Sequence, residues 1–524
     1  MKFQMTALLS LFSLSALAQG MYPNTPFKEN YFAEKIKTLS EDPKALTSVY
    51  DISRMGLDRA RPKNVPWSGS YWPLNQGMIA SPYQDRTMIR PWQFVTWEGN
   101  VKRFESRKKD YLTYVEKMTD DDLAFLAPSE KYDLLLNDRG YDLSTKIWDY
   151  AWRWGDSKKQ GFITQIDLPS PDFVVPEANR FMALWEGICH GWATAAGHVP
   201  EPKKIVNVVL ADGREVPFYP DDIKALVSLL WANSMIQENV MLEGNRCWNK
   251  RPETDKHGRY IDVPNANIPP GFENVPGCGD IHPGMFHLTL ANVTGKQGRS
   301  FIVDINPKAP VANQPVSGYK FKYFNVETGE ESNLNNAVLA YSAYRHVDPF
   351  KSARTPNVRS IVGVEVEFEY TDYYTPGMYK ETEESPNKFK ELKYLYDLEL
   401  DAKGNIIGGQ WRLSKKGSRT LISGDFKPDF LWVIPKDYKK YFTAVNLEKW
   451  DVRSGKPAPA SWQNVAKGAH SFIYKMTKEF GWNEKCTVIN SKNKKDIRVV
   501  PCEYQYPKPQ PLINLVDQLV ELSK

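Results

Sequence analysis

The sequence predicts an α+β protein, in which helices come first along the chain and strands dominate its last third. Apolar residues recur every three or four positions at residues 31–36 and 45–57, which is the spacing of an amphipathic helix. At residues 362–370 apolar and polar residues alternate, the pattern of a strand with one face in water. Between these regions lies a short apolar stretch, residues 185–193, which contains Cys189 and leads into a run that can form a helix.

The elements of the first half follow in chain order. Residues 67–73 are aromatic and bounded by prolines, so they are predicted to be extended. Helical spacing returns at residues 101–126, and Ser129 is predicted to cap the helix that follows. A further helix is predicted at residues 219–227, after a capping turn.

The second half is predicted to be mainly β. Residues 285–292 and 300–304 are rich in strand-forming residues and flank a glycine turn at 295–298, which predicts a hairpin. Further strands are predicted at residues 394–400, 406–411 and 430–434. The chain is thereby divided into a signal peptide at 1–18, a mostly helical region at 19–130, a core at 131–345, and a β-rich region with a cysteine-stapled tail at 346–524.

Composition and the N-terminus indicate a large exported protein. The chain has 524 residues, of which 41% are hydrophobic and 13% aromatic, enough for substantial cores. A net charge of +5, spread along the chain, gives no case for a nucleic-acid partner. Lys2, an apolar run and an A-x-A cleavage site formed by Ala16 and Ala18 predict a cleaved signal peptide, and therefore a secreted or periplasmic protein without a membrane span.

Five cysteines in an exported chain leave one without a partner. Two local disulfides, Cys247–Cys278 and Cys486–Cys502, would each stabilise the fold by about 3 kcal/mol and would leave Cys189 free. Because a free thiol is a liability in an oxidising compartment unless it is used, this pairing favours Cys189 as a nucleophile.

Cys189, His287 and Asp304 come in that order, each in a short apolar setting, and suggest acyl transfer through a thioester. The helix macrodipole at Cys189 would favour the thiolate, the form that attacks acyl carbons. A histidine can move the proton and an aspartate can fix the imidazole tautomer. Each residue also has a structural alternative: a buried thiol, a core histidine and a turn-starting aspartate. His282 is a substitute for the base.

No metal site is predicted. Cys189, His190 and His198 lack the spacing of zinc ligands, and His190 is predicted to be structural or to lie at the rim of the site. The sequence contains nothing like an EF-hand loop, identifies no cofactor, and leaves a calcium requirement open.

Beyond the three catalytic candidates, an ordered set of motifs resembles the transglutaminase elicitor family, known from oomycete plant pathogens and from bacterial relatives. The resemblance covers about residues 60–435. The motifs that carry it are segments 67–73, 129–133, 187–192, 201–203, 221–226, 283–287 and 311–320, followed by a C-terminal set at 398–401, 407–411 and 428–433.

The resemblance implies a papain-like cysteine-enzyme core with a Cys-His-Asp triad and protein-glutamine gamma-glutamyltransferase activity. It carries the nucleophile onto Cys189 and the base onto His287, and Asp304 is where we expect the orienting carboxylate. Ala312 and Ser317 stand where the family's elicitor peptide has Trp and Arg, which argues against carrying plant recognition over to this chain.

Four tryptophans are candidates to bind substrate: Trp67, Trp72, Trp185 and Trp192. They could line a tunnel for the glutamine side chain, or they could form an aromatic core, and the sequence does not rank the two. The backbone N–H of Cys189 is a candidate oxyanion donor, and Trp185 is either a second donor or a pocket wall.

The predicted partners are proteins that carry glutamine and lysine. A cysteine peptidase or a protein deamidase would use the same triad, with water as the acceptor. A non-catalytic cell-surface binding protein, acting through its β-rich region, is the alternative from another class. The sequence leaves open the oligomeric state and whether the N-terminal region is removed as a pro-segment.

Overall fold

A computed structural model of the chain describes residues 30–73, 76–82, 97–137, 140–145, 147, 187–235, 240–244, 281–306, 311–351, 354–416, 427–442, 447–469, 485–489, 497–501 and 511–524. The predicted signal peptide lies outside these ranges, as do Trp185, Cys247, Cys278 and Cys502. Cys486 lies within a described strand. The two expected disulfides therefore stay predictions. None of the described helices is long and apolar enough to cross a membrane.

In chain order, the α-helices of the described ranges are α1 (Tyr31–Ser40), α2 (Val49–Arg54), α3 (Trp97–Tyr114), α4 (Asp120–Ala124), α5 (Pro128–Leu135), α6 (Cys189–Ala196), α7 (Pro220–Ser234), α8 (Pro283–Thr289), α9 (Leu334–Ala337), α10 (Tyr341–Tyr344), α11 (Ala460–Ala469) and α12 (Pro511–Leu522). A π-helix, Leu290–Lys296, continues α8. Short 3-10 helices occur at Met78–Ala80, Val115–Lys117, Thr382–Glu384 and Tyr438–Tyr441.

The strands build one large antiparallel sheet and two hairpins. They are β1 (Arg59–Ala60), β2 (Val206–Val209), β3 (Glu215–Phe218), β4 (Met241–Gly244), β5 (Ile302–Asp304), β6 (Asn313–Phe324), β7 (Glu331–Ser332), β8 (Leu339–Ala340), β9 (Ser360–Thr371), β10 (Phe389–Leu400), β11 (Ile406–Arg412), β12 (Phe430–Val433), β13 (Lys485–Ile489) and β14 (Ile497–Pro501). Within the described residues the sheet runs β11-β10-β9-β6-β5-β12-β4, with β1 and β7 also on β6 and β8 on β9. The hairpins are β2-β3 and β13-β14.

Alternate side chains of the sheet enter two apolar cores on its opposite faces. On β5 and β12, Ile302 and Trp432 belong to the front core, which also contains Trp192 of α6. Val303 and Leu431 belong to the back core. Because successive strand residues point to opposite faces, α6 and α7 lie on the front of the sheet and α1 and α8 on its back.

The N-terminal segment is built into both cores. Phe32 and Ile36 of α1 are buried in the back core, and β1 pairs with β6. Trp67 is buried in the front core. Removal of residues 30–73 would therefore expose apolar surface on both faces of the sheet. The sheet also contains strands from both sides of the predicted boundary at residue 345.

The α+β class is confirmed, and most predicted elements are present. The strand predicted at residues 362–370 is β9, where Val364 and Val366 are buried and the intervening Glu365 is partly exposed. The strands predicted at 394–400, 406–411 and 430–434 correspond to β10, β11 and β12. At α5 the predicted cap is wrong, because Ser129 lies inside the helix and the cap residue is Ala127. The Ala127 N–H donates to the Glu130 carboxylate at 2.7 Å.

The hairpin predicted at residues 285–304 is wrong in its first half. Residues 283–296 form α8 and the π-helix that continues it, and only β5 is a strand. Pro283 occupies the first turn, and the His282 ring accepts the N–H of Gly284 at 3.0 Å, both of which favour a helix start. All residues of α8 are buried, so its sequence lacks the polar face that marks a helix at the surface.

The C-terminal helix closes the front core. Leu512, Leu515 and Leu519 of α12 are buried in this core, and α12 packs against α7. Past the helix end, the Ser523 carbonyl accepts the N–H groups of Lys203 and Lys204 at 2.8 and 3.1 Å. The last residues of the chain thus support the helix on which α6 rests.

We expect Leu519→Ala to destabilise the front core by about 2–5 kcal/mol, because it leaves a cavity between α12 and α7. Thermal unfolding followed by circular dichroism should show a lowered Tm. Glu521→Ala is the matched control, since that side chain is exposed on the same helix and pairs with exposed Lys524. Equal Tm values for both variants would contradict the packing of α12.

Candidate active site

Helix α6 begins at Cys189 itself, and the two residues before it are fixed by the extended segment 67–73. The Ile188 N–H donates to the Tyr71 carbonyl at 2.8 Å, and Gly187 pairs with Pro73. A side chain at Gly187 would overlap the Tyr71 carbonyl oxygen. The aromatic segment singled out in the sequence thus sets the position of the thiol.

A close helix contact and two tryptophans hold the rest of α6. A Cβ atom on Gly191 would overlap the Ser228 carbonyl of α7, so the two helices meet backbone to backbone. The indole of Trp192 donates to the Trp67 carbonyl at 3.2 Å, and that of Trp67 donates to the Val199 carbonyl at 3.0 Å. These contacts fix both ends of α6.

The described tryptophans occupy the core. Trp67, Trp72 and Trp192 are at most 3% exposed, and all three belong to the front core. Of the two alternatives that the sequence left open, the described positions fit the aromatic core. Trp185 lies outside the described residues, so its proposed contact with substrate stays a prediction.

The Cys189 thiol is free and partly accessible to solvent, and N–H groups surround its sulfur. The side-chain amide nitrogen Nδ2 of Asn313 lies 3.4 Å from Sγ. The main-chain N–H groups of Asn313 and of His190 are also near enough to the sulfur to lower the pKa of the thiol. The Asn313 amide oxygen in turn accepts the indole N–H of Trp432 at 3.1 Å.

Two opposing effects act on this thiol. Burial raises the pKa of Cys189, and the negative charge of Asp304 raises it further, whereas the hydrogen bonds from Asn313 and His190 lower it. The net direction is upward. Burial therefore opposes the effect of the helix N-terminus, which favours the thiolate.

Asp304 lies close enough to Cys189 for the charges of the two groups to interact. It ends β5, it is fully buried, and it pairs across the sheet with Asn313. Its oxygen Oδ1 accepts the N–H groups of Asn306 and Ala312 at 3.1 and 2.8 Å. The structure therefore brings together two of the three predicted catalytic residues and holds the carboxylate firmly.

His287 lies on the other face of the sheet. Its ring stacks on Phe321 at a centroid distance of 3.9 Å, and its Nδ1 lies 3.0 Å from the Tyr396 hydroxyl. Phe321 and Tyr396 both belong to the back core, whereas Trp192 of the nucleophile helix belongs to the front core. Burial lowers the pKa of His287 to about 3. The structure does not bring His287 to Cys189, and its role as base stays a prediction.

The other candidate histidines are also placed away from the sulfur. His282 caps α8 with its ring against Phe32, at a centroid distance of 4.8 Å. His190 is buried, which lowers its pKa to about 4, and its predicted structural role fits this position better than one at the rim. Across the described ranges, no histidine ring is hydrogen-bonded to Cys189.

One tyrosine lies near the thiol, and a second tyrosine packs against the first. Tyr71 is close enough to Cys189 for their charges to interact, and burial, with Tyr373 and Cys189 as smaller causes, raises the pKa of Tyr71 to about 12. The Tyr373 ring lies 5.3 Å from that of Tyr71 and is 45% exposed. A pair of packed tyrosine rings thus stands on this side of the site.

Charged residues from the family-like motifs act as internal cross-links. Lys131 of α5 pairs with Asp222 of α7 at 2.6 Å, with both side chains fully buried. Lys224 of α7 reaches the Glu201 carboxylate and the Ser68 carbonyl, both at 3.0 Å. These pairs tie α5, α7 and the segment at 67–73 together behind α6. Among the described residues, no group of three or more His, Cys, Asp or Glu side chains is arranged to hold a metal ion.

Asn313 and Trp432 are the site residues that sequence reasoning missed. Both fall within segments that carry the family resemblance, 311–320 and 428–433, but neither had been given a role. The signal in the sequence that could have indicated Asn313 was its position: a side-chain amide at the start of a strand, directly after Asp304 and the loop that follows it. The strand β6 that Asn313 begins is largely buried and pairs with β5 and β9.

These features define an α+β protein with a free thiol at the first turn of a helix that packs on an antiparallel sheet. A family model described as transglutaminase elicitor matches residues 177–454, which is more than half of the chain. The chain therefore belongs to the transglutaminase elicitor family.

One solved structure is similar, and a search of curated proteins gave no match. The crystal structure of the GP42 transglutaminase from Phytophthora sojae aligns over 78% of this chain and 91% of that chain. The two share 20% sequence identity, with a TM-score of 0.46.

We expect His287→Gln to lower the Tm, because the ring that stacks on Phe321 is lost. The rate at which iodoacetamide labels Cys189 should stay within about twofold of that of the unmodified protein, since the two sites lie on opposite faces of the sheet. His346→Gln is the matched control, as His346 is exposed. An unchanged Tm, together with a loss of amine incorporation of about 10² or more, would instead establish His287 as the base.

Proposed function

We propose that this protein is a protein-glutamine gamma-glutamyltransferase, in which Cys189 forms a thioester with a glutamine side chain and a lysine amine resolves it. The observation that carries the proposal is the free thiol at the start of α6, surrounded by N–H groups of Asn313 and His190. Membership of the transglutaminase elicitor family supports it.

The reaction has two halves. In the first, Cys189 loses its proton and the sulfur attacks the γ-carboxamide carbon, so the carbon–nitrogen bond breaks and ammonia leaves with that proton. In the second, the lysine amine attacks the thioester, loses a proton and forms the isopeptide bond, while the sulfur departs and is protonated again. The thiol is thereby restored.

We assign to Asp304 the stabilisation of the attacking amine. The incoming amine becomes positively charged as it attacks, and the negative charge of Asp304 close to Cys189 stabilises that charge. Two backbone N–H groups hold the carboxylate in place before the substrate arrives. The proposal does not depend on His287 as the proton acceptor.

The surroundings of the thiol favour an amine over water as the acceptor. Burial raises the pKa of Cys189 and of Tyr71. A site that limits the access of water would favour transfer to an amine. The partly exposed ring of Tyr373 stands beside Tyr71. A lysine side chain, with its apolar stem, suits such an entrance better than water does.

The substrates we propose are proteins outside the cell or in the periplasm.

The direct test is incubation with casein and a labelled primary amine, comparing the unmodified protein with Cys189→Ala and Cys189→Ser. We expect the unmodified protein to incorporate the amine and both variants to lose incorporation while keeping the original Tm, because neither can form a thioester. Amine incorporation by folded Cys189→Ala would contradict the proposal.

Mass spectrometry of the same reaction mixtures identifies the acceptor. Isopeptide product in excess over glutamate is the expected outcome. Glutamate alone would make the protein a deamidase, and backbone cleavage of casein would make it a peptidase; either result would overturn the transferase proposal and leave Cys189 as the nucleophile.

A further inference from the structure

The amide of Asn313 has a defined orientation. Asn313 is fully buried at the start of β6, and its oxygen Oδ1 accepts the indole N–H of Trp432 at 3.1 Å. An indole N–H can only donate, so the amide oxygen must face Trp432 and the NH₂ group must face the other way. That direction is towards Cys189, whose Sγ lies 3.4 Å from Nδ2.

The donors around the sulfur suit an anion better than a neutral thiol. The Asn313 side chain hydrogen-bonds to Sγ, and the main-chain N–H groups of Asn313 and His190 also lower the pKa of the thiol. A thiol sulfur is a weak acceptor, whereas hydrogen bonds to an ionised group are shorter and about twice as strong. The three N–H groups therefore gain strength when the proton leaves the sulfur.

The other groups near the sulfur disfavour that negative charge. Burial and the Asp304 carboxylate on β5 both raise the pKa of the thiol, and Tyr71 from the segment at 67–73 faces it without offering a positive charge. The hydrogen bonds from Asn313 are the first of the influences that lower the thiol pKa. Formation of the nucleophile thus depends on neutral donors.

We infer that Asn313 is a catalytic residue whose side-chain amide stabilises the negatively charged sulfur of Cys189, and that Trp432 is a positioning residue that fixes the direction of this amide. Asn313 touches the reacting atom, whereas Trp432 acts through it. The inference rests on the proposed function only in taking Cys189 as the nucleophile.

A purely structural role would use only half of the Asn313 side chain. The buried Trp432 N–H needs an acceptor, which the amide oxygen provides and which a carboxylate would provide equally well. It does not need a donor aimed at Sγ. The two roles can therefore be separated by a substitution that keeps the oxygen and removes the N–H groups.

Asn313→Asp is that substitution. It has nearly the same shape and can still accept from Trp432, but its side chain offers no N–H to the sulfur and adds a negative charge. The measurement is the rate of Cys189 alkylation by iodoacetamide across a pH series, which reports the thiol pKa without any enzymatic turnover. We expect alkylation at neutral pH to fall at least about tenfold, since each unit of rise in the thiol pKa lowers the thiolate fraction tenfold.

Asn325→Asp is the matched control. Asn325 directly follows β6, and its side-chain oxygen accepts the N–H groups of Glu327 and Thr328 at 2.9 and 3.2 Å. The same exchange of amide for carboxylate keeps those bonds and lies away from the thiol, so its alkylation profile should match that of the unmodified protein. Equal loss in both variants would overturn the inference.

Trp432→Phe tests the positioning role. It keeps an aromatic ring in the front core but removes the N–H that holds the amide oxygen, so the amide can turn its oxygen to the sulfur. We expect an alkylation profile between those of the unmodified protein and Asn313→Asp. If Asn313→Asp does not fold, the alkylation profile of Trp432→Phe tests the inference alone. A Trp432→Phe profile equal to that of the unmodified protein then overturns the inference.

The outcomes separate this inference from the proposed function. A folded Asn313→Asp protein with the original alkylation profile overturns the role of Asn313, whatever the unmodified protein does with casein. A shifted profile supports that role even if the unmodified protein incorporates no amine, in which case the transferase proposal fails and the thiol belongs to another reaction.

Discussion

Helix α6 is held by backbone contacts that leave no room for a side chain. Gly191 meets the Ser228 carbonyl of α7, and Gly187 meets the Tyr71 carbonyl just before the helix starts. The third contact is polar and comes from the sheet, where Asn313 reaches the sulfur. The thiol is thus fixed by three contacts, which come from α7, from the segment at 67–73 and from β6. A reactive sulfur needs this precision, because small displacements at a reacting centre cost large factors in rate.

The supports of α6 extend beyond the segment matched by the family model. The family model covers residues 177–454, yet segment 67–73 precedes it and α12 follows it. The first fixes the entry to α6, and the second packs on α7. Between them, the fully buried Lys131–Asp222 pair joins α5 to α7. Removing one partner of such a pair would leave a buried charge unpaired, so these motif residues serve the architecture rather than the reaction.

The sequence was informative where local pattern and structure coincide. The alternation in β9 predicted a strand with one buried face, and the odd cysteine count and the motif around Cys189 identified the free thiol. The helix α8 was missed because burial on all sides removes the amphipathic signal. The role of Asn313 was missed because it depends on contacts with Cys189 and Trp432, each more than a hundred positions away in the chain. The balance between burial and hydrogen bonding at the sulfur is likewise a property of the packed site. His287 lies on the opposite face because α8 packs on the back of the sheet, and a short motif does not encode on which face a helix packs.

The proposed transfer requires a covalent bond between Cys189 and the substrate, and trapping that intermediate tests it most directly. The protein is mixed with a short glutamine-containing peptide in the absence of amine, quenched in acid, and its intact mass is measured. We predict an adduct equal to the peptide minus ammonia, located on Cys189 by digestion and removed by hydroxylamine. Amine incorporation without this adduct, or an adduct on another residue, would contradict the thioester mechanism.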